Sequence, residues 1–146
     1  MRHWEDFEAG QVYELGPHTV TAEEIVEFAR QFDPQPFHLD EEAAARGPFG
    51  GLIASGWHTA ALFMRMYVEE LINETVSMGS PGVEELRWLV PVRPGDELRG
   101  RVTILEATPS STRPDRGTIR ARMEMLNQRD DVVLTMVARG FLGRRG

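Results

Sequence analysis

Gly47-Pro48-Phe49-Gly50-Gly51-Leu52-Ile53-Ala54-Ser55-Gly56-Trp57-His58-Thr59-Ala60-Ala61-Leu62-Phe63-Met64 runs a glycine-rich loop straight into a long apolar segment. Glycines grouped this way mark a loop whose backbone must approach something closely. From Trp57 to about Thr75 the spacing predicts a helix with Trp57, Ala60, Ala61, Met64, Val68 and Leu71 on one apolar side and few charges before Arg65. A helix that apolar is buried, so something must wrap it. Gly79-Ser80-Pro81-Gly82 ends the helical half, and the remainder reads as strands over Val83 to Val92, Glu97 to Ala107, Thr118 to Asn127 and Val132 to Leu142. Arg93-Pro94-Gly95-Asp96 is a tight turn, and Thr108 to Arg116 is a polar hairpin loop. With an early strand at Val12 to Leu15, the expected class is α+β: a curved antiparallel β-sheet wrapped around a long central α-helix, residues 1–146 forming one domain. A Greek-key β domain with an unrelated helical preface would leave the Trp57 to Leu71 face without a partner.

Upstream, Thr21-Ala22-Glu23-Glu24 is a capping box that starts a helix at Ala22. Ile25, Phe28, Ala29 and Phe32 form its buried stripe, while Glu23, Glu27 and Arg30 face water. Asp33-Pro34 stops it, and Pro36 makes Pro34-Gln35-Pro36-Phe37 extended and stiff. Asp40 to Arg46 holds one or two helical turns.

Composition narrows the function classes. Formal net charge is −7, against the clustered basic surface that nucleic acid needs. A small-molecule substrate is the better expectation. Every basic side chain is Arg, so no lysine is present for Schiff-base chemistry. There is no cysteine, no secretory-type N-terminus and no run of roughly 20 apolar residues. A cytoplasmic protein without membrane association is the default expectation.

The chemistry-bearing segment is Asp33-Pro34-Gln35-Pro36-Phe37-His38-Leu39-Asp40. With the glycine-rich loop and central helix it resembles the hydratase signature of the MaoC-like dehydratase and (R)-specific enoyl-CoA hydratase family. In that signature an Asp and a His stand five positions apart, an Asp follows two later, and a small-residue loop leads into the helix. Asp33, Pro36, His38 and Asp40 match, and Val92-Arg93-Pro94-Gly95-Asp96-Glu97-Leu98 resembles the family's turn between core strands. Gln35 stands where the hydratases usually have Asn, and Ser55-Gly56 where they usually have His-Gly. The resemblance implies a hotdog fold and a homodimer or higher homo-oligomer. It also implies an acyl-CoA thioester as substrate, with coenzyme A part of the substrate and no separate cofactor.

Beside the resemblance, the residues support a mechanism. Asp33 ends a helix, where the negative end of the dipole and burial are expected to raise its pKa toward that of a useful base. A proline-stiffened turn returns His38 to it, and the two can hold one water between them. Gly56 opens the central helix, where a backbone N–H at the positive end would stabilise an enolate-like oxygen. Asp33, His38 and Gly56 are thus the candidate catalytic groups, and Ser55, Gln35, Trp57 and Phe37 the candidate substrate-binding ones. The expected reaction is reversible hydration of 2-enoyl-CoA or dehydration of 3-hydroxyacyl-CoA.

Each signal has a plainer reading. Asp33 alone is an ordinary helix stop, and the partnership with His38 is what lifts it. His38-Leu39-Asp40 offers too few ligands for a metal site. His58 is read as structural or substrate-adjacent, while His3 and His18 carry no motif. Met64, Met66, Met78, Met123, Met125 and Met136 fill an adaptable core or line an acyl tunnel. Gly50-Gly51 lacks the Gly-Lys-Ser/Thr of a phosphate loop. Two other functions compete. One is an acyl-CoA thioesterase, which commonly carries an acid on the central helix, where only the late Glu69 and Glu70 stand. The other is a non-catalytic acyl-CoA-binding subunit.

Overall fold

The computed structural model describes residues 1–146. Five strands, β1 (Val12–Thr19), β2 (Gly82–Trp88), β3 (Glu97–Pro109), β4 (Arg116–Leu126) and β5 (Val132–Gly143), form one antiparallel sheet in the order β1-β3-β4-β5-β2. The helices are α1 (Ala22–Phe32), α2 (Pro36–Leu39), α3 (Glu41–Ala45) and α4 (Gly56–Glu70). The period-2 pattern turns Leu98, Val102 and Ile104 of β3 and Ile119, Ala121, Met123 and Met125 of β4 inward. They close over α4, whose Phe63 and Met66 share their core. Gly100 is required here, because a Cβ would stand 3.0 Å from the Phe63 ring and 3.2 Å from Leu15. This is the α+β layout read from the sequence.

Several local expectations change. The face of α4 that meets the sheet carries Thr59, Phe63 and Met66, not the Trp57, Ala61 and Met64 side. Trp57 is 58% exposed and Met64 48% exposed. The helix is apolar on both sides, so periodicity could not choose between them. Its C-terminus comes earlier than Thr75: α4 stops at Glu70 and a short 3₁₀ turn, Ile72–Glu74, follows. In α1 the capping box is as read, with Thr21 Oγ1 accepting from Glu24 N at 3.2 Å and Glu24 Oε1 from Thr21 N at 3.2 Å. Ile25 and Ala29 are buried, but Phe32 at the frayed end is 69% exposed.

Pro36 and Phe37 are not extended. They begin α2 with Pro36 in the first turn, where a fixed φ is already helical and the missing N–H has no acceptor to lose. Asp40 caps α3, its Oδ1 accepting from Glu42 N at 2.8 Å and Ala43 N at 3.2 Å. Strand β2 ends at Trp88 rather than Val92. Pro91 has no N–H to give a ladder, and Leu89 to Val92 peel away to line the functional cleft. Strand β1 runs on past Leu15 to Thr19 through an irregularity between Leu15 and His18.

Candidate active site

Asp33 is the C-cap of α1, its N–H bonded to Ala29 O. The short turn of α2 then swings His38 back beside it. His38 is buried, and its Nδ1 lies 2.7 Å from the carbonyl of Ile53. A carbonyl only accepts, so Nδ1 carries a proton and Nε2 is the nitrogen presented to Asp33. Nε2 and Asp33 Oδ2 are 3.2 Å apart. At this separation no water fits between the two atoms, but a water on the cleft side of the pair can donate a hydrogen to either.

The carboxylate is held from its other side by Gln35, whose Nε2 donates to Oδ1 at 2.7 Å. The pKa of Asp33 is lowered, not raised as the helix-end argument expects. Burial is the largest single influence and pushes it up, but hydrogen bonds from Ser55 and Gln35, with the charge and hydrogen bond of His38, outweigh it together. Asp33 is therefore an ionised carboxylate throughout the neutral range. Gln35 and Ser55, expected to touch substrate, also hydrogen-bond Asp33. Ser55 is fully buried and also caps α4, its Oγ accepting from Trp57 N at 3.2 Å.

Gly56 is the first residue of α4, and its N–H meets no acceptor in the chain. The indole of Trp88 lies on it: Nε1–H donates to Gly56 O at 2.7 Å, and a Cβ at Gly56 would fall 2.4 Å from the ring. Only glycine fits under this indole. Trp57 meets Trp88 edge to face, with centroids 5.1 Å apart. Phe37 stands edge-on to His38 at 4.5 Å and to Phe49 at 5.3 Å.

Asp33, Gln35, Phe37, His38, Gly56 and Trp57 line one cleft of about 430 Å³, so six of the seven sequence candidates meet there, with Ser55 just behind the wall. Trp88, Phe49, Thr59, Val133 and the Leu89 to Val92 segment complete the lining. The sequence reading missed these. A bulky aromatic ending a strand beside a helix start was the available signal for Trp88, whereas the Ile53 carbonyl has no side-chain signature at all. Glu69 and Glu70 lie outside the cleft: Glu69 pairs with Arg65 at 3.0 Å, and Glu70 accepts from Gly16 N.

His58 is not among the residues lining the cleft. It is buried, stacked on Phe28 at 4.9 Å with 12° between the rings, and its Nδ1 has no partner. Burial lowers its pKa; the neighbouring Glu24 opposes this and His18 adds to it. As pH falls through the ordinary value of 6.5, the unfolded chain takes up a proton that the folded chain refuses, so stability falls with it. The thermal midpoint is expected to drop between pH 7.5 and 5.5, with a shallower slope in His58→Gln. Equal slopes in the two proteins would exclude His58 as the cause.

An antiparallel sheet closed on a central helix, with a carboxylate and an imidazole brought to the N-terminus of that helix, defines a hotdog-fold protein. Residues 6–125 match the family described as MaoC like domain. The chain belongs to the MaoC-like dehydratase family. It is 45% identical to a MaoC-like dehydratase of Rhodospirillum rubrum of known crystal structure, with a TM-score of 0.89 over 100% of this chain and 99% of that one. It is 33% identical to the 3-hydroxybutyryl-CoA dehydratase of Methylorubrum extorquens over 76% of this chain and 69% of the relative. It is 32% identical to the uncharacterized protein YdeM of Bacillus subtilis over 86% of this chain and 88% of the relative.

Proposed function

We propose that the cleft hydrates 2-enoyl-CoA thioesters and, in reverse, dehydrates 3-hydroxyacyl-CoA thioesters, with Asp33 and His38 as the catalytic pair. The observation that carries this reading is the 3.2 Å approach of Asp33 Oδ2 and His38 Nε2 beside the unused N–H of Gly56. A water on the cleft side of the pair, within reach of both atoms, has a lone pair aimed into the cleft. Its oxygen bonds to C3 of the enoyl group while one proton passes to a member of the pair. The C2–C3 π electrons move toward the thioester oxygen, where the Gly56 N–H receives the developing charge. The proton taken from the water is then delivered from the pair to C2, so that the elements of one water are added and nothing is oxidised. Coenzyme A enters as part of the substrate, and no further cofactor takes part.

Gln35 and Ser55 keep Asp33 ionised and aimed, while Phe37 and Trp57 form apolar walls for the acyl group. Hydrolysis of the thioester is disfavoured because neither Glu69 nor Glu70 reaches the cleft. A second copy of this chain covers the exposed Trp57, Met64, Val83 and Leu89 around the edge strand β2. Sedimentation as a monomer would contradict that assembly. The function is tested by following loss of enoyl-thioester absorbance for 2-enoyl-CoAs of increasing length and branching. Turnover without release of free thiol is the expected result. Silence across the set with acyl-CoA still bound would favour a non-catalytic binding subunit.

A further inference from the structure

With a net charge of −7, this protein repels an anionic ligand at long range, so a phosphate-bearing one must be met by a local cation. Nearly every arginine is neutralised by a carboxylate. The exceptions are Arg46, Arg93 and Arg122. Arg122 lies on β4 between the inward-facing Ala121 and Met123, and so points away from the core. The other two flank the glycine-rich loop at the cleft: Arg46 precedes Gly47, and Arg93 reaches across to Phe49 and Gly51.

Arg93 is built into place. Its N–H donates to Asp96 Oδ2 at 2.9 Å, and Asp96, itself buried, is held by Gln128 Nε2 at 2.9 Å. Its guanidinium donates one N–H from Nη2 to Phe49 O at 2.7 Å. A Cβ at Gly51 would come within 3.2 Å of Nη1, so this glycine leaves the group its space. The neighbours on either side, Phe49 and Val92, line the cleft. An exposed guanidinium is thereby fixed at the cleft mouth by a neutral carbonyl, with its remaining donors and full charge unspent. Planar donors of this kind suit phosphate oxygens.

We propose that Arg93, assisted by Arg46, recognises the phosphate of the carrier that delivers the thioester, a role that rests on the thioester reading above. The shared chemistry is the phosphate at the end of a pantetheine arm, supplied either by coenzyme A or by a phosphopantetheine-bearing protein. The test compares 2-butenoyl esters of coenzyme A, of 4′-phosphopantetheine and of N-acetylcysteamine, which has no phosphate. In Arg93→Gln the kcat/KM ratio of the coenzyme A ester to the N-acetylcysteamine ester is expected to fall about ten-fold, carried by KM. Arg46→Gln lowers it by less, and Arg122→Gln leaves it unchanged. A fall shared by the phosphopantetheine ester assigns the contact to the pantetheine phosphate. A fall confined to coenzyme A would place the contact on the nucleotide and overturn the assignment to the pantetheine phosphate.

An unchanged ratio in Arg93→Gln, with both esters slowed alike, would reduce Arg93 to a clamp on the loop and overturn the proposal. If the wild type turned over none of the esters, the hydratase reading would fail while this inference remained testable by calorimetric titration with coenzyme A. A roughly ten-fold weaker Kd in Arg93→Gln would uphold it, and an equal Kd would overturn it.

Discussion

Asp33→Asn is expected to lower turnover of 2-enoyl-CoA by about 10³-fold while leaving the fold and the binding of acyl-CoA in place. That size is typical of removing a positioned proton acceptor, which contributes roughly 10²–10⁴-fold. The substitution is nearly isosteric. The Asn carbonyl keeps the bond that Gln35 gives to Oδ1 at 2.7 Å, and its amide can donate to the Nε2 of His38 that faces it. What disappears is basicity, together with the second acceptor that a bridging water needs. His38→Ala should show a comparable loss. The double variant should be little worse than either single one, because groups that share one water act as a unit. Steady-state rates with a parallel thermal melt separate lost chemistry from lost structure. A full additive loss in the double variant would mean that the two residues act on different steps.

The low pKa of Asp33 adds a constraint on pH dependence. Because the carboxylate is stabilised below its ordinary value of 3.8, it stays ionised down to acid pH. Any acid limb of activity near neutrality therefore belongs to another group.

Phe63→Ala is expected to destabilise the protein by about 3–5 kcal/mol, the largest stability effect of any single change considered. Phe63 is fully buried on α4, pressed toward the gap that Gly100 leaves in β3 and stacked with Tyr67 at 6.2 Å. The surrounding sheet is tied through β3, β4 and β5 and has little freedom to collapse into the space. Urea unfolding followed by tryptophan fluorescence measures the loss. Because α4 also presents Gly56 and Ser55, partial loosening should weaken catalysis before the protein unfolds. A cost below about 1 kcal/mol would mean that α4 is not seated as described.

What the sequence revealed was whatever depends on short-range order or on the combination of residue types. The Thr21–Glu24 box needs only its own backbone, and the strands of the second half announce themselves by alternation. The Asp33–His38 spacing is read directly because the turn between them is only a few residues long. What escaped depends on partners far along the chain. The buried side of α4 was misjudged because Phe63 and Met66 are no more apolar than Met64 and Val68, and only the sheet decides between them. The pKa of Asp33 was misjudged in direction because hydrogen bonds from Ser55, a helix cap from another segment, and from Gln35 outweigh the burial that raises it, together with His38. Trp88 was missed as the cover of Gly56 because the two meet only where the end of β2 comes over the start of α4.

Addition of water across the C2–C3 bond of an enoyl thioester is read out by running the wild-type protein with 2-butenoyl-CoA in H₂¹⁸O and locating the label by mass spectrometry. The expected product is an intact 3-hydroxybutanoyl-CoA with one ¹⁸O at C3 and no free thiol. Label found instead in a released carboxylate would show hydrolysis of the thioester and contradict the hydratase reading.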